Sequence, residues 1–164
     1  MDEQDKLEDD NQELLKEFDK ATNYRKYRGT MAAIITIITV AMSLFHLYTA
    51  GFGILLALKQ RAIHLGFTLV LIFLLYPFRK QTKDNKILMT LDFIMAVLGA
   101  VVTSYLIFNY KALVQRAGLY TKLDYLMAVI AIVLVLEAAR RVVGWELPAI
   151  SGLFLIYAYF GQSM

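Results

Sequence analysis

Residues 123–144, LDYLMAVIAIVLVLEAARRVVG, decide how the rest of the chain is interpreted. The first half of this stretch is apolar on every helical face, whereas a helix on the surface of a soluble protein carries a polar stripe along its whole length. After Asp124 the stretch carries no charged residue until its end, where Glu137, Arg140 and Arg141 precede Gly144. A run that suits lipid for about three turns and then becomes charged is typical of a membrane span that reaches an interface.

The bulk composition agrees with a membrane protein. The chain has 164 residues, 59% of them hydrophobic, and a mean hydropathy of +0.54. Ordinary soluble domains contain roughly 45–50% apolar residues, and a soluble core of this size could not enclose several apolar runs of membrane length. The chain has no cysteine, which excludes disulfides and thiolate metal sites.

The apolar runs predict an all-α fold, namely an integral membrane helical bundle with four transmembrane helices plus a truncated fifth. A helix of 21 residues is about 31 Å long, enough to cross a hydrocarbon layer of about 30 Å. The fifth run is barely complete when the chain stops, so we expect a fragment of a longer protein or a split subunit. The predicted spans are 30–50, 62–78, 91–108 and 123–139, and the incomplete fifth is 147–160.

Charge divides the chain into an acidic tail, residues 1–23, and a basic remainder. Residues 2–20 carry nine acids and three lysines, a net charge of −6, which leaves +9 for the rest because the whole chain carries +3. The tail is interpreted either as a solvated terminus with little fixed structure or as a helix on the membrane surface. Ten Lys and Arg residues flank the spans on the N-terminal side of the membrane and five on the other side. This bias predicts a cytoplasmic N-terminus.

Polar residues in the first two spans suggest where helices meet. Thr36, Thr39, Ser43 and His46 recur at helical spacing, so they share one face. We expect this face to turn towards other helices, where its hydroxyl groups can hydrogen-bond. His46 is either a proton carrier or ligand, or a packed, hydrogen-bonded histidine near the far interface. His64 is more typical of an interfacial residue than of a metal ligand, because no histidine or carboxylate lies three or four residues away.

The third and fourth spans carry a small-residue pattern and two acids. Ala96, Ala100 and Ser104 are four residues apart and predict a ridge that allows a neighbouring helix to approach closely. Asp92 and Asp124 each lie at the start of a predicted span. We expect both carboxylates to cap a helix N-terminus just before it enters the membrane.

The charged end of the fourth span is the one charged cluster near lipid. Glu137 lies three and four residues before Arg140 and Arg141, so ion pairs can form along one helix. The cluster is interpreted either as a polar contact to a partner helix or to lipid headgroups, or as a self-neutralised helix end at the cytoplasmic interface. The chain lacks zinc-protease, serine-hydrolase and phosphate-loop motifs. We therefore predict no enzyme and no catalytic, metal or substrate-binding residue.

Short motifs spread over residues 24–164 carry a family resemblance. They are 45–50 (FHLYTA), 61–65 (RAIHL), 73–77 (FLLYP), 123–124 (LD), 136–144 (LEAARRVVG), Pro148 and 155–161 (LIYAYFG). Together they resemble the amino-terminal portion of TRAP (tripartite ATP-independent periplasmic) transporter permeases. The resemblance is to the fused type, in which a small four-helix subunit is joined to a large twelve-helix one that works with TAXI-type binding proteins. The run EAARRVVG is the most specific part.

This resemblance implies a scaffold role in ion-coupled uptake of organic acids or related solutes across a bacterial or archaeal cell (inner) membrane. Residues 24–144 would be the small-subunit-like domain, and residues 145–164 would start a helix leading to a large permease domain that the chain lacks. The implied partners are the lipid bilayer, that large domain and a TAXI-type extracytoplasmic solute-binding protein, with no nucleic acid. The substrate and sodium sites would lie in the large domain, so none maps onto a residue here. The alternative is a free-standing multi-span membrane interaction protein.

Overall fold

The computed structural model describes residues 24–25, 27–53, 56–78 and 86–161. The predicted acidic tail, residues 1–23, lies outside this part. Of the described residues 84% are helical and none is in a strand, so the all-α prediction is confirmed. The helices are α1 (Thr30–Gly51), α2 (Ala57–Leu75), α3 (Lys86–Phe108), α4 (Tyr110–Gln115), α5 (Lys122–Val142) and α6 (Glu146–Phe160).

Within the described residues, three helices are long and apolar enough to cross a membrane, namely α1, α2 and α3. Helix α5 is comparably long, but every 18-residue stretch of it contains at least three charged side chains. Its uncharged middle, residues 125–136, is only about 18 Å long. Helix α6 has 15 residues and falls short of a full span. Length and composition therefore identify three spans, and the predicted fourth span and partial fifth are not confirmed by this criterion.

The helices begin earlier than the apolar runs do. Helix α2 starts at Ala57 instead of residue 62, so Lys59 and Arg61 belong to its first two turns rather than to a loop. Helix α3 starts at Lys86 instead of residue 91. The helical backbone satisfies its own hydrogen bonds, and long basic side chains can extend from a helix towards water. The apolar runs therefore placed the starts of α2 and α3 five residues too late.

The core forms around α2, which packs against α1, α3 and α5. Its most extensive contact is with α3, while α6 packs against α5. Helix α1 adds Ile35 and Ile38 to the edge of the core. The buried core residues come from three helices and are Leu69, Phe73 and Leu74 of α2, Ala96 of α3, and Leu134 and Ala138 of α5.

Helices α2 and α3 approach each other closely through two glycines. A Cβ at Gly66 would lie 2.7 Å from Thr103 Oγ1, and one at Gly99 would lie 3.1 Å from Leu69 Cβ. A methyl group would therefore collide at the first position and crowd the second. The contact line on α3 contains Ala96, Gly99 and Thr103, all buried.

The predicted ridge of Ala96, Ala100 and Ser104 coincides with this contact line only at Ala96. Ala96 is buried, whereas Ala100 and Ser104 are partly exposed at the edge of the α2–α3 contact. Steps of four residues turn by about 40° each relative to a helix face, so a ridge at that spacing drifts off the contact. Residues spaced alternately three and four apart, such as Ala96, Gly99 and Thr103, remain on the contact with α2.

The three hydroxyls of the predicted α1 face do not turn towards another described helix of this chain, whereas the fourth member of that face, His46, contacts His64 of α2. The prediction is therefore wrong for the hydroxyls and holds at His46. Thr36, Thr39 and Ser43 are exposed. Each donates to the carbonyl four residues earlier, at 2.9, 2.9 and 3.0 Å. Because these bonds satisfy the hydroxyls within the helix, α1 is free to place its aliphatic side chains on the core.

A matched pair of glycine substitutions tests the close α2–α3 contact. Gly66→Ala places a Cβ against Thr103, whereas Gly152→Ala in α6 places one where no atom lies within 4 Å. Both gain helix propensity, up to about 1 kcal/mol, but only the first overpacks a contact, which costs about 1–3 kcal/mol. We expect G66A to lower and G152A to hold or raise the free energy of unfolding, measured by SDS titration in mixed micelles. Equal effects would contradict the contact.

Candidate functional site

Five charged residues gather where α2 ends, α3 begins and α5 ends. We call them the Asp92 network, and its members are Arg25, Asp92, Glu137, Arg140 and Arg141. Asp92 is 1% exposed, and its two oxygens face different arginines. Arg141 Nη1 donates to Oδ1 at 2.7 Å, and Arg25 Nη1 lies 2.8 Å from Oδ2. One carboxylate of α3 thus joins the segment before α1 to the end of α5.

Arg141 makes the most contacts in the network. Its Nη1 also donates to the Tyr76 carbonyl at 3.0 Å, and its Nε donates to Glu137 Oε1 at 2.9 Å. The guanidinium lies 4.9 Å from the centre of the Phe73 ring, within range of a cation–π interaction. The planar fork of arginine suits such a site, because it can donate to several acceptors at once.

Glu137 and Arg140 form a second, bidentate pair. Arg140 Nε and Nη2 donate to the two oxygens of Glu137 at 2.7 and 2.6 Å. The Arg140 guanidinium also lies 4.6 Å from the Phe78 ring centre and 5.3 Å from that of Trp145. Two aromatic rings and a carboxylate therefore surround the charge at the end of α5.

The segment before α1 folds back onto the end of α2. The Arg25 backbone N–H donates to the Leu75 carbonyl at 2.8 Å, and the Tyr27 hydroxyl donates to the Leu74 carbonyl at 2.9 Å. These bonds place the Arg25 side chain, 7% exposed, beside Asp92. Arg25 Nη1 and Asp92 Oδ2 are at ion-pair distance without hydrogen-bond geometry, so their attraction is Coulombic.

The structure contains both arrangements proposed for the charged end of α5. Glu137 pairs with Arg140 and Arg141 along one helix, as the spacing predicts. Arg141 also reaches a partner helix through Asp92. The predicted cap role of Asp92 is wrong, because α3 begins at Lys86 and places Asp92 in its second turn. A lone acid inside an apolar run is a sign of a buried ion pair, but its partners could not be identified from spacing.

Asp124 does lie at a helix start, as predicted. Thr121 is the N-cap residue of α5, and Asp124 completes a capping box with it. The Thr121 backbone N–H donates to Asp124 Oδ2 at 2.7 Å, and the Asp124 N–H donates to Thr121 Oγ1 at 3.3 Å. The Tyr105 hydroxyl donates to Asp124 Oδ1 at 2.5 Å. This carboxylate therefore links the end of α3 to the start of α5.

His46 is packed and hydrogen-bonded, in agreement with one of its two interpretations. Its Nε2 lies 2.9 Å from Nδ1 of His64 on α2, and the two rings meet edge to face. Sequence spacing could not reveal this pair, because the two histidines are 18 residues apart on different helices.

The chemistry of the Asp92 network is that of a structural link. Its charged groups are matched to one another, and the surplus is one positive charge, from three arginines and two acids. Within the described residues no group of three or more His, Cys, Asp and Glu side chains could hold a metal ion. The ion pairs of Asp92 hold the segment before α1, the start of α3 and the end of α5 together.

Comparison with known proteins does not assign the chain to a family. No family model, no curated protein and no solved structure matches it. The resemblance described above therefore rests on the sequence motifs.

Removing the charge of Asp92 tests the network. Asp92→Asn preserves the shape of the side chain but leaves Arg25 and Arg141 without their common counter-ion in a buried site. We expect D92N to lower the free energy of unfolding by about 3–5 kcal/mol, the usual cost of breaking a buried pair. The measurement is SDS titration of the purified protein in mixed micelles.

The control is the same substitution at the other buried acid. Asp124→Asn removes a charge whose arginine partner, Arg116, is 37% exposed at 3.7 Å, so solvent compensates for part of the loss. We expect a clearly smaller decrease for D124N. A decrease for D92N that does not exceed the D124N decrease would contradict the central role of Asp92.

Proposed function

We propose that this chain is the scaffold part of a TRAP-type permease, a secondary transporter for organic acids or related solutes. The observation that carries the proposal is the run EAARRVVG, residues 137–144, which resembles that family. Its three charged residues are also members of the Asp92 network. The most specific part of the resemblance is therefore the part that links helices to one another.

The packing is typical of a static part of a transporter rather than of a part that moves during transport. A part that slides during transport needs contacts that can form and break at low cost. In this bundle a buried carboxylate is shared by two arginines, and α2 meets α3 at a distance that leaves no space for a methyl group at Gly66. Close-packed interiors of this kind deform little.

The proposed topology includes α5 as a fourth span and α6 as the beginning of a fifth. Helix α5 contacts α3 at both ends, through Asp92 with Arg141 and through Tyr105 with Asp124. It therefore runs antiparallel to α3 over a comparable length. If α3 crosses the membrane, α5 crosses it too, with its charges paired inside the bundle as intramembrane charges usually are.

The proposed location is a bacterial or archaeal cell (inner) membrane with the N-terminus in the cytoplasm. The three membrane-length helices are compatible with a membrane location. The excess of Lys and Arg on the N-terminal side supports the orientation. Trp145, exposed beside Arg140 at the end of α5, has the position of an interfacial tryptophan on that side.

The proposed partners are a large permease domain and a TAXI-type extracytoplasmic binding protein. In this proposal the large domain holds the solute and sodium sites and performs the movement, while the present chain broadens the membrane footprint and helps to receive the binding protein. The chain carries out no reaction of its own.

Reconstitution tests this division of labour. We expect sodium-driven uptake of solute in proteoliposomes that contain this chain, the large permease domain and the binding protein, and none in vesicles that contain this chain alone. The measurement is accumulation of radiolabelled organic acids under an inward sodium gradient. Uptake by the chain alone would refute the scaffold role. Undiminished uptake when the chain is left out would favour a free-standing interaction protein instead.

A further inference from the structure

A second site lies at the opposite end of the bundle from the Asp92 network. His46 is near the end of α1, and His64 is near the start of α2. His46 Nε2 and His64 Nδ1 face each other at 2.9 Å, with the ring planes at 64°. His64 is exposed and His46 is partly exposed, and both lie within about two turns of the end of the bundle where α1 finishes and α2 starts.

We propose that His46 and His64 bind a late divalent transition-metal ion, of the class of Cu²⁺, Ni²⁺ and Zn²⁺. Neutral imidazole is a ligand that suits these ions, and each ring has one nitrogen with a free lone pair. When both facing nitrogens carry the lone pair, the two rings offer two ligands from different helices. This inference is independent of the proposed transport function.

The distance between the nitrogens fits two neighbouring ligands of one ion. Metal–imidazole bonds are about 2.0–2.1 Å long. Two such bonds to nitrogens 2.9 Å apart enclose an angle of about 90° at the metal. Neighbouring ligands in square-planar or tetragonal coordination meet at this angle, which favours Cu²⁺ and Ni²⁺ within the class. A small opening of the pair would reach the tetrahedral angle that Zn²⁺ prefers.

The surroundings of His64 are compatible with the tautomer that metal binding requires. Its Nε2 lies 3.5 Å from the Thr68 hydroxyl, one turn further along α2. An Nε2–H that donates to this hydroxyl leaves Nδ1 free for the metal, and metal-bound histidines usually donate their second nitrogen in this way. In the metal-bound state the Thr68 hydroxyl is therefore placed to accept this hydrogen bond.

A shallow pocket beside the pair has space for the remaining ligands. It is lined by both histidines together with Ala57, Gln60 and Arg61. Water molecules or the Gln60 amide oxygen can complete the coordination. The positive charge of Arg61 lowers the affinity for any cation and disfavours Mg²⁺ and Ca²⁺, which need several oxygen ligands. Ions that bind nitrogen strongly are the ones this site can retain.

Metal binding would strengthen the attachment of α1. In the described part α1 packs chiefly on α2, and an ion held by one histidine from each helix would link them. Because the ion binds the folded pair and the pair is dispersed on unfolding, binding raises the stability of the folded state.

The test is direct because His46 and His64 are the only histidines in the chain. Cu²⁺ added to the full-length protein in detergent, after removal of any histidine tag, is expected to give an EPR spectrum with two equatorial imidazole nitrogens. His64→Gln is expected to remove one nitrogen from the spectrum and to weaken binding by about tenfold or more. Ni²⁺ is expected to raise the midpoint of thermal unfolding of the wild type only.

His46→Gln separates metal binding from the hydrogen bond. A glutamine amide can still donate to His64 Nδ1, so H46Q is expected to match the wild type in thermal stability without metal. It should nevertheless lose the second nitrogen in the EPR spectrum and the stabilisation by Ni²⁺. The proposal is overturned if Cu²⁺ spectra and affinities are the same in the wild type, H46Q and H64Q. It is also overturned if the wild type shows one imidazole nitrogen or none.

Discussion

A carboxylate buried between two arginines is the constraint on which the rest of the structure depends. Asp92 is 1% exposed and lies 2.7 Å from Arg141 and 2.8 Å from Arg25. An isolated charge in a medium of low dielectric constant is strongly unfavourable, so the acid and its two partners must stay together. The three residues come from the segment before α1, from α3 and from α5. Because these three charges must remain in contact, they fix how the three parts of the chain are arranged at one end of the bundle.

The remaining contacts follow from that arrangement. Once the ends of α3 and α5 are joined through Asp92 and Arg141, their other ends meet through Tyr105 and Asp124. Helix α2 lies against both and supplies the centre of the core. Its close approach to α3 at Gly66 adds dispersion contacts, which drive helix association where lipid removes the hydrophobic difference between core and surroundings. Ion pairs thus position the helices and small residues let them pack.

This combination suits a part that stays still. The network uses arginine, which remains charged at any physiological pH, and pairs each carboxylate with two arginines. Such links offer no open ligand position with which to respond to a solute. The opposite end of the bundle differs, since it holds the two histidines in an accessible pocket. The proposed metal site is therefore separate from the ion pairs that hold the helices together.

The sequence by itself determined the properties that arise within one helix. The apolar runs specified helices of membrane length, the three- and four-residue spacing specified the Glu137 ion pairs, and Asp124 marked the start of α5. The tertiary structure alone decided which faces meet. It joined Asp92 to Arg141 across 49 residues and His46 to His64 across 18, and it turned the hydroxyls of α1 outwards. The reason is physical: helical periodicity is set by local backbone geometry, whereas contacts between helices depend on the packing of all side chains at once.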